Sequence, residues 1–437
     1  INPEYTKQIQ DDFDFFYAEC AKQGIWIHPT LDNSPYSCLR WIDLFKNAPS
    51  QGFLVHYDEM ARKDWALAAE AYMNHVNPYT GLATKDDPQV LFCVGYNEQD
   101  FAFLRPQDWT PLKEEWKKFT KSDIPAPTYR DYMKRGKNFD LIQKFVFHKE
   151  LEITRYFRDE LRKTGYKGFY ANYDVACTMR YSELRKEGDF VLFHRYFDHP
   201  ADGGRKLTQR SVFQVNGNSY FNLSIGTKYR DLPMFIGEFD LCYPDQYRSQ
   251  SPFLFSAYAA LQGFSGLTPW GTTLVTHKST YISPFTHGDD PVATGGDVQS
   301  YLMFMREDVS TAKNDLYLTY TPQKLTSRML ESCIDEKQAN LSLVTRVQLD
   351  DSRNGKPTPG ATNVQAAIPL KVGGHLVDVN IGTNGHVAAE GGSVSVVFDS
   401  SGKFDSNALL RSSGLIGKEN RTNIPYVYES DTKELYY

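Results

Sequence analysis

Two glutamates stand where a carboxylate is costly. Glu238 lies in the run Met234-Phe235-Ile236-Gly237-Glu238-Phe239-Asp240, and Glu98 follows Pro88-Gln89-Val90-Leu91-Phe92-Cys93-Val94-Gly95-Tyr96-Asn97. Read with period 2, Met234, Ile236 and Glu238 share one face of a buried strand, which puts an acid at its C-terminal end. An ionised carboxylate among apolar neighbours loses solvation unless it is paired, hydrogen-bonded or put to use. Two carboxyl groups held about 5 to 5.5 Å apart can divide a reaction between them. One attacks an anomeric carbon, and the other protonates the leaving oxygen and then activates water. The competing account is that each acid is an ordinary strand-end residue paired with Arg or Lys.

The elements that must position these acids alternate along the chain. Ile9, Phe13, Phe16, Cys20 and Ala21 recur at helical spacing over 3–23, and Gly24 supplies a C-terminal stop. Ile25-Trp26-Ile27-His28-Pro29 then reads as a short strand. A second amphipathic helix is expected over 59–75, ended by Asn77-Pro78, ahead of the strand that leads to Glu98. A long insertion over 101–138 follows, whose Trp109, Trp116 and Tyr129 could rim a cleft or equally be packed or solvent-facing. Beyond it the pattern predicts helices over 139–163, 179–186, 252–261 and 298–306. Strands are expected over 168–173, 189–200, 233–240 and 263–270. Strands separated by helices or long loops predict parallel strands with crossover helices. Six strands are visible, two short of a closed (β/α)8 barrel.

From Lys313 the character changes to β-rich segments over 316–321, 341–349, 363–370, 375–381 and 393–398. Turns such as Asn354-Gly355 and Asn384-Gly385 separate them. A further strand pair is expected over 406–411 and 420–423. The expected organisation is an α/β barrel domain over 1–312 and an all-β, sandwich-like domain over 313–437.

Composition narrows the function. With 41% hydrophobic and 23% charged residues the chain is ordinary globular protein, not a disordered one. Its net charge of -6, with no Lys/Arg stripe, argues against a nucleic-acid partner. No apolar run reaches the roughly 18 residues of a membrane span. Cys20, Cys38, Cys93, Cys177, Cys242 and Cys333 show no CxxC spacing and are read as mostly free thiols. No Walker loop, GxGxxG or HExxH appears, so neither cofactor nor metal is expected. Asp350-x-Ser352-x-Asn354-Gly355 fails as a calcium loop because Ala361 stands where a bidentate Glu is needed. Sequons at Asn222, Asn340 and Asn420 carry little weight. Aromatic residues make up 14%, which suits both core packing and a sugar-stacking cleft.

The order of motifs resembles the clan A glycoside hydrolases, cellulase-like members of family five in particular. Asn97-Glu98 matches the Asn and acid/base Glu that end the fourth barrel strand of that clan. Ile236-Gly237-Glu238-Phe239 matches its nucleophile at the end of the seventh strand, and Trp270 its sugar platform after the eighth. Leu192-Phe193-His194-Arg195-Tyr196 looks like the sixth-strand His-x-Tyr. The segment His75-Val76-Asn77-Pro78-Tyr79-Thr80-Gly81-Leu82, with Asp86-Asp87-Pro88, is similar to stretches ahead of the acid/base strand in such proteins. The resemblance covers residues 1–310. It implies Asn97 on a substrate 2-OH, Tyr196 beside the nucleophile and His194 near the substrate. For His194 and Tyr196 an aromatic pair in the core is the competing account. His28 could line the cleft floor or be structural. Of the strand-end residues Asn172, Tyr173 and Asp174, one is expected to touch substrate.

The sequence also departs from the clan. The first two barrel strands, with the Arg that ends the second, have no counterpart before Ile1. An open barrel exposes strand edges, so a second copy of the chain or a C-terminal segment is expected to cover them. The chain begins at Ile1 without a signal-peptide pattern and is read as processed, trimmed or a fragment. The compartment is not legible in the sequence; a secreted or periplasmic bacterial location is the expectation. The expected activity is retaining hydrolysis of a β-linked polysaccharide, cellulose-like glucan first. The alternatives are a β-mannanase, a β-galactosidase, an algal galactan hydrolase, and a non-catalytic carbohydrate-binding protein derived from a hydrolase.

Overall fold

A computed structural model describes residues 3–31, 54–98, 109, 111–133, 136, 138–174, 179–200, 207–209, 211–212, 227–271, 282, 284–312, 315–319, 342 and 346–350, and further strands between 367 and 436. Apart from Met179, the described residues up to Leu192 form one compact unit and those from Phe193 onward a second.

The first unit contains α1 (Pro3–Lys22), α2 (Glu59–Asn74), β1 (Phe92–Val94), α3 (Leu112–Thr120), α4 (Tyr129–Met133), α5 (Phe139–Lys163), β2 (Phe169–Ala171) and α6 (Met179–Arg185). Asp58 caps α2 by accepting the Ala61 amide at 2.9 Å, as a short acid does at a helix start. The buried stripe of α2 holds Ala61, Trp65, Ala69 and Met73, at the i, i+4 spacing of one helix face. Trp65 packs on Phe157 of α5 with ring centroids 4.1 Å apart. Its indole N–H also donates to the Gly95 carbonyl at 3.1 Å, so the core grips the chain just past β1. Strands β1 and β2 pair in parallel, Phe92 opposite Phe169 and Val94 opposite Ala171. The strand expected near Ile25 is present as two parallel bridges, Ile27 to Val90 and Thr30 to Val94. Gly95 is required by close approach: a Cβ there would lie 2.9 Å from the Tyr170 hydroxyl and 3.1 Å from the Phe157 ring.

The insertion after β1 decides between the alternatives for its aromatic residues. Trp109 and Trp116 do not rim a cleft; both are buried with Leu112, Phe145 and Val146. Leu112, Trp116 and Phe119 recur at i, i+4 and i+7 on α3, and Trp116 meets Phe145 edge-on at 5.3 Å. Tyr129 packs against the same cluster.

The second unit contains β3 (Val191–Phe197) from Phe193 onward, β4 (Met234–Leu241), α7 (Gln250–Gln262), β5 (Gly266–Pro269) and α8 (Pro291–Ser300), which runs on into a π-turn over Tyr301–Met305. The sheet order is β3-β4-β5, and β4 pairs with β5 in parallel. Between Ile236 and Phe239, the stretch that holds Glu238, the register shifts. α7 ends on Gly263 in the left-handed conformation. α8 starts seven residues earlier than expected because Asp290 caps it, accepting the Val292 amide, with Pro291 in the first turn.

Beyond α8, β6 (Asp315–Thr319), β7 (Arg346–Asp350), β8 (Ala367–Val372), β9 (His375–Ile381), β10 (His386–Ala389) and β11 (Ser395–Val397) form one sheet in the order β11-β10-β9-β8-β6-β7. β6 and β7 are parallel, whereas β8, β9 and β10 run antiparallel. β12 (Val427–Glu429) and β13 (Glu434–Tyr436) make a separate antiparallel pair. Gln262 of α7 holds β7, accepting the Val347 amide at 2.9 Å, and Lys228 donates to Gln348 at 2.9 Å. The division at residue 312 and the sandwich arrangement remain proposals. The three sequons and the strand pair expected over 406–411 and 420–423 lie outside the described residues, as do Cys38, Cys177 and Cys333. Cys20, Cys93 and Cys242 are buried free thiols. Among the described residues, no helix is long and apolar enough to cross a membrane.

Candidate active site

In the second unit the site is built on β3 and β4. Glu238 is only 7% exposed, and its carboxylate is met by two side chains of the neighbouring strand. The Tyr196 hydroxyl donates to Glu238 Oε2 at 2.6 Å, and His194 Nδ1 lies 3.4 Å from Glu238 Oε1. His194 and Tyr196 are two residues apart on β3 and so reach the same side of the sheet. Tyr196 is itself walled in: His199 meets its ring edge-on at 5.6 Å and Phe285 at 5.8 Å. A hydrogen bond to an ionised group contributes about 1.5–3 kcal/mol. Tyr196→Phe should therefore lower kcat by roughly ten- to a hundredfold with KM little changed. Steady-state kinetics on a turned-over substrate checks this.

The ends of the two strands are pinned by further acids. Asp198, in the left-handed conformation with φ 54°, accepts the amides of Thr208 at 2.6 Å and Gln209 at 2.8 Å. Burial works to raise its carboxyl, but these amides and the Asp245 carboxyl outweigh it, and the group sits below the usual range. Burial pushes Asp245 up to about 6, and its hydrogen bond to Asp198 adds to that. Burial likewise pushes Asp240 up to about 7, against the opposing pull of His287.

In the first unit Glu98 sits just past β1 with φ 44°, a left-handed conformation that costs an L-residue about 1–2 kcal/mol. Its amide donates to Asp174 Oδ1 at 2.7 Å. A charge-assisted bond of that kind contributes about 1.5–3 kcal/mol, enough to offset the strain. The Tyr96 amide donates to Asn172 Oδ1 at 3.1 Å, and the Gly95 amide to the Ala171 carbonyl at 3.1 Å. Asn97 lies between these anchors, half-buried.

Other residues singled out from the sequence fall in varied settings. Trp270, next after β5, is 45% exposed, and its amide donates to the Phe239 carbonyl at 3.2 Å. That leaves an indole face available beside β4. Tyr173 is fully buried: its hydroxyl donates to the Glu150 carbonyl and its ring stacks on Tyr181 at 5.4 Å. Asn172 is buried and holds the end of β1, so both strand-end residues support the chain in the places the structure gives them. His28 stacks on Phe92 with centroids 4.6 Å apart and lines a cavity of about 300 Å³ with Asp14, Tyr72, His75 and Asn77. The His75 segment thus packs against α1, His75 on Asp14 at 2.8 Å and Asn77 on the Asp14 carbonyl at 2.8 Å. The sequence points to Asp174 only as a strand-end candidate for substrate contact, and the packing of His199 and Phe285 on Tyr196 leaves no local sequence signal.

No protein-family model matches the chain, and no curated protein does. Among solved structures it is similar to an endo-β-1,4-mannanase from Thermotoga petrophila, with 13% identity over 71% of this chain and 66% of that one and a TM-score of 0.47. It is also similar to a glycoside hydrolase family 5 mannosidase from Rhizomucor miehei, at 13% identity, 69% and 78% coverage and a TM-score of 0.43. A third is a β-galactosidase from Rahnella sp. R3, at 10% identity, 71% and 50% coverage and a TM-score of 0.43.

Proposed function

We propose that the protein is a retaining glycoside hydrolase of clan A type, built on a (β/α)8-type barrel and acting on a β-linked polysaccharide or oligosaccharide. Glu238 is the nucleophile: its carboxylate attacks the anomeric carbon as the glycosidic bond breaks, giving a glycosyl ester. Glu98 is the acid/base, which gives its proton to the departing oxygen and then takes one from the water that hydrolyses the ester. The observation that carries the reading is the Tyr196 hydroxyl at 2.6 Å from Glu238 Oε2, with His194 at 3.4 Å from the other oxygen. The neighbouring strand supplies a phenol to one carboxylate oxygen and an imidazole to the other, which fix the rotamer of the carboxylate. Trp270, 45% exposed, is the proposed stacking platform, and Asn97 the donor to the 2-OH. No cofactor enters this chemistry.

The substrate class is a polymer of β-linked hexoses. Cellulose-like glucan, mannan and galactan are the members to assay, because the epimer is selected by loop contacts and not by the carboxylates. Purified protein incubated with these polymers should release reducing ends from at least one, with the β anomer appearing first by proton NMR. Initial release of the α anomer would contradict double displacement. Binding without release across the panel would mark the chain as a carbohydrate-binding protein instead.

A further inference from the structure

We infer that Asp174 is a positioning residue for Glu98, setting the direction of the acid/base carboxyl through the backbone. The inference rests on the reading of Glu98 given above. The parallel ladder between β1 and β2 does not stop where the strands do. Past Val94 and Ala171 it continues first through backbone, the Gly95 amide on the Ala171 carbonyl, and then through side chains. Asn172 Oδ1 takes the Tyr96 amide and Asp174 Oδ1 takes the Glu98 amide, each pair at the same spacing of 76 residues. In a regular parallel strand these two amides, in step with that of Val94, which donates to the Pro29 carbonyl, would point away from β2; here two side chains that follow β2 accept them instead.

The arrangement has a geometric reason. Glu98 and Tyr173 both have positive φ, 44° and 59°, so both chains turn out of the extended conformation at the same level. Carbonyl-to-amide pairing ends at such a turn. A carboxylate on a short side chain still reaches across. Asp174 is fully buried, and Tyr173 before it is fixed three ways: the Arg185 guanidinium donates to its carbonyl at 2.7 Å, its hydroxyl donates to Glu150, and its ring stacks on Tyr181. The amide of Glu98 is therefore docked on a rigid acceptor. Since φ of Glu98 sets where its Cβ points, this bond selects the direction in which the carboxyl projects. Without it the residue can relax to negative φ and swing its carboxyl away from the leaving oxygen. A misplacement of about 1 Å costs on the order of a hundredfold in rate.

The test uses the dependence on the leaving group, which separates loss of acid catalysis from general loosening. A 2,4-dinitrophenoxide needs no protonation to depart, whereas a sugar hydroxyl does. For Asp174→Ala, kcat/KM on an oligosaccharide of the accepted sugar should fall about a hundredfold. On the 2,4-dinitrophenyl glycoside of the same sugar the fall should be less than about fivefold, the bond to that leaving group breaking without the acid. Asp174→Asn, which keeps the Oδ1 acceptor, should recover most of the loss. Asp174→Ser, smaller and still polar, should show the same split and serves if the Ala variant does not accumulate folded. Equal losses on both substrates, or no loss on either, would overturn the proposal. Glu98→Gln is run alongside. If it shows no leaving-group dependence, the acid/base reading has failed and not the positioning one.

Discussion

Glu238→Gln should abolish hydrolysis, lowering kcat by about 10⁴-fold or more, the scale seen when a covalent nucleophile is removed. The amide is isosteric with the carboxylate and keeps an oxygen to accept the 2.6 Å bond from Tyr196. The fold and the carbohydrate contacts should therefore survive. Calorimetric titration with an oligosaccharide should give an affinity within a few-fold of the unsubstituted protein, while reducing-end release falls to background. This combination separates loss of chemistry from loss of structure. An unchanged kcat would remove Glu238 from the reaction altogether. An equal fall in affinity and rate would make it a binding residue.

Glu98→Gln should be the next most severe change, and selective. General acid–base catalysis contributes typically about 10²- to 10⁴-fold, and that range is the expected loss on polysaccharide. On a 2,4-dinitrophenyl glycoside the first step needs no acid, so the glycosyl ester should form quickly and then persist, because no base activates water. A burst of dinitrophenol followed by a slow steady rate is the expected trace. Added azide, a nucleophile that needs no deprotonation, should speed the slow phase and yield the glycosyl azide. Uniform slowing of both phases, with no response to azide, would remove Glu98 from the acid/base role.

Much of this arrangement was legible before any coordinates. The alternation of apolar runs located β1, β2, β3, β4 and β5 and the helices at Pro3, Glu59, Phe139, Met179 and Gln250, because each carries an unambiguous period and a Gly, Pro or Asn stop. The period-two face shared by His194 and Tyr196 was equally plain, and both side chains reach Glu238. Other features were hidden for definable reasons. α3 is hard to read because Lys113, Glu114, Glu115, Lys117 and Lys118 swamp the three apolar positions that bury it. The start of α8 is hidden because Gly295 and Gly296 look like breakers, although Gly296 is needed for contact with Pro252. The left-handed conformation of Glu98 could not be read locally at all. It depends on Asp174, 76 residues away, and only the fold brings that acceptor to the amide. The register shift between Ile236 and Phe239 and the ring packing of Tyr196 against Phe285 are tertiary facts of the same kind.

The central claim is that Glu238 forms a covalent bond to the sugar. A 2-deoxy-2-fluoro glycosyl fluoride of the accepted sugar slows both steps but carries a good leaving group, so the ester accumulates if it forms. Intact mass spectrometry after incubation should show one added fluorosugar per chain. Peptide fragmentation should place it on Glu238 within Met234–Leu241, and Glu238→Gln should take up none. A label on another carboxylate, or no label together with α-anomer product from the natural substrate, would contradict the account.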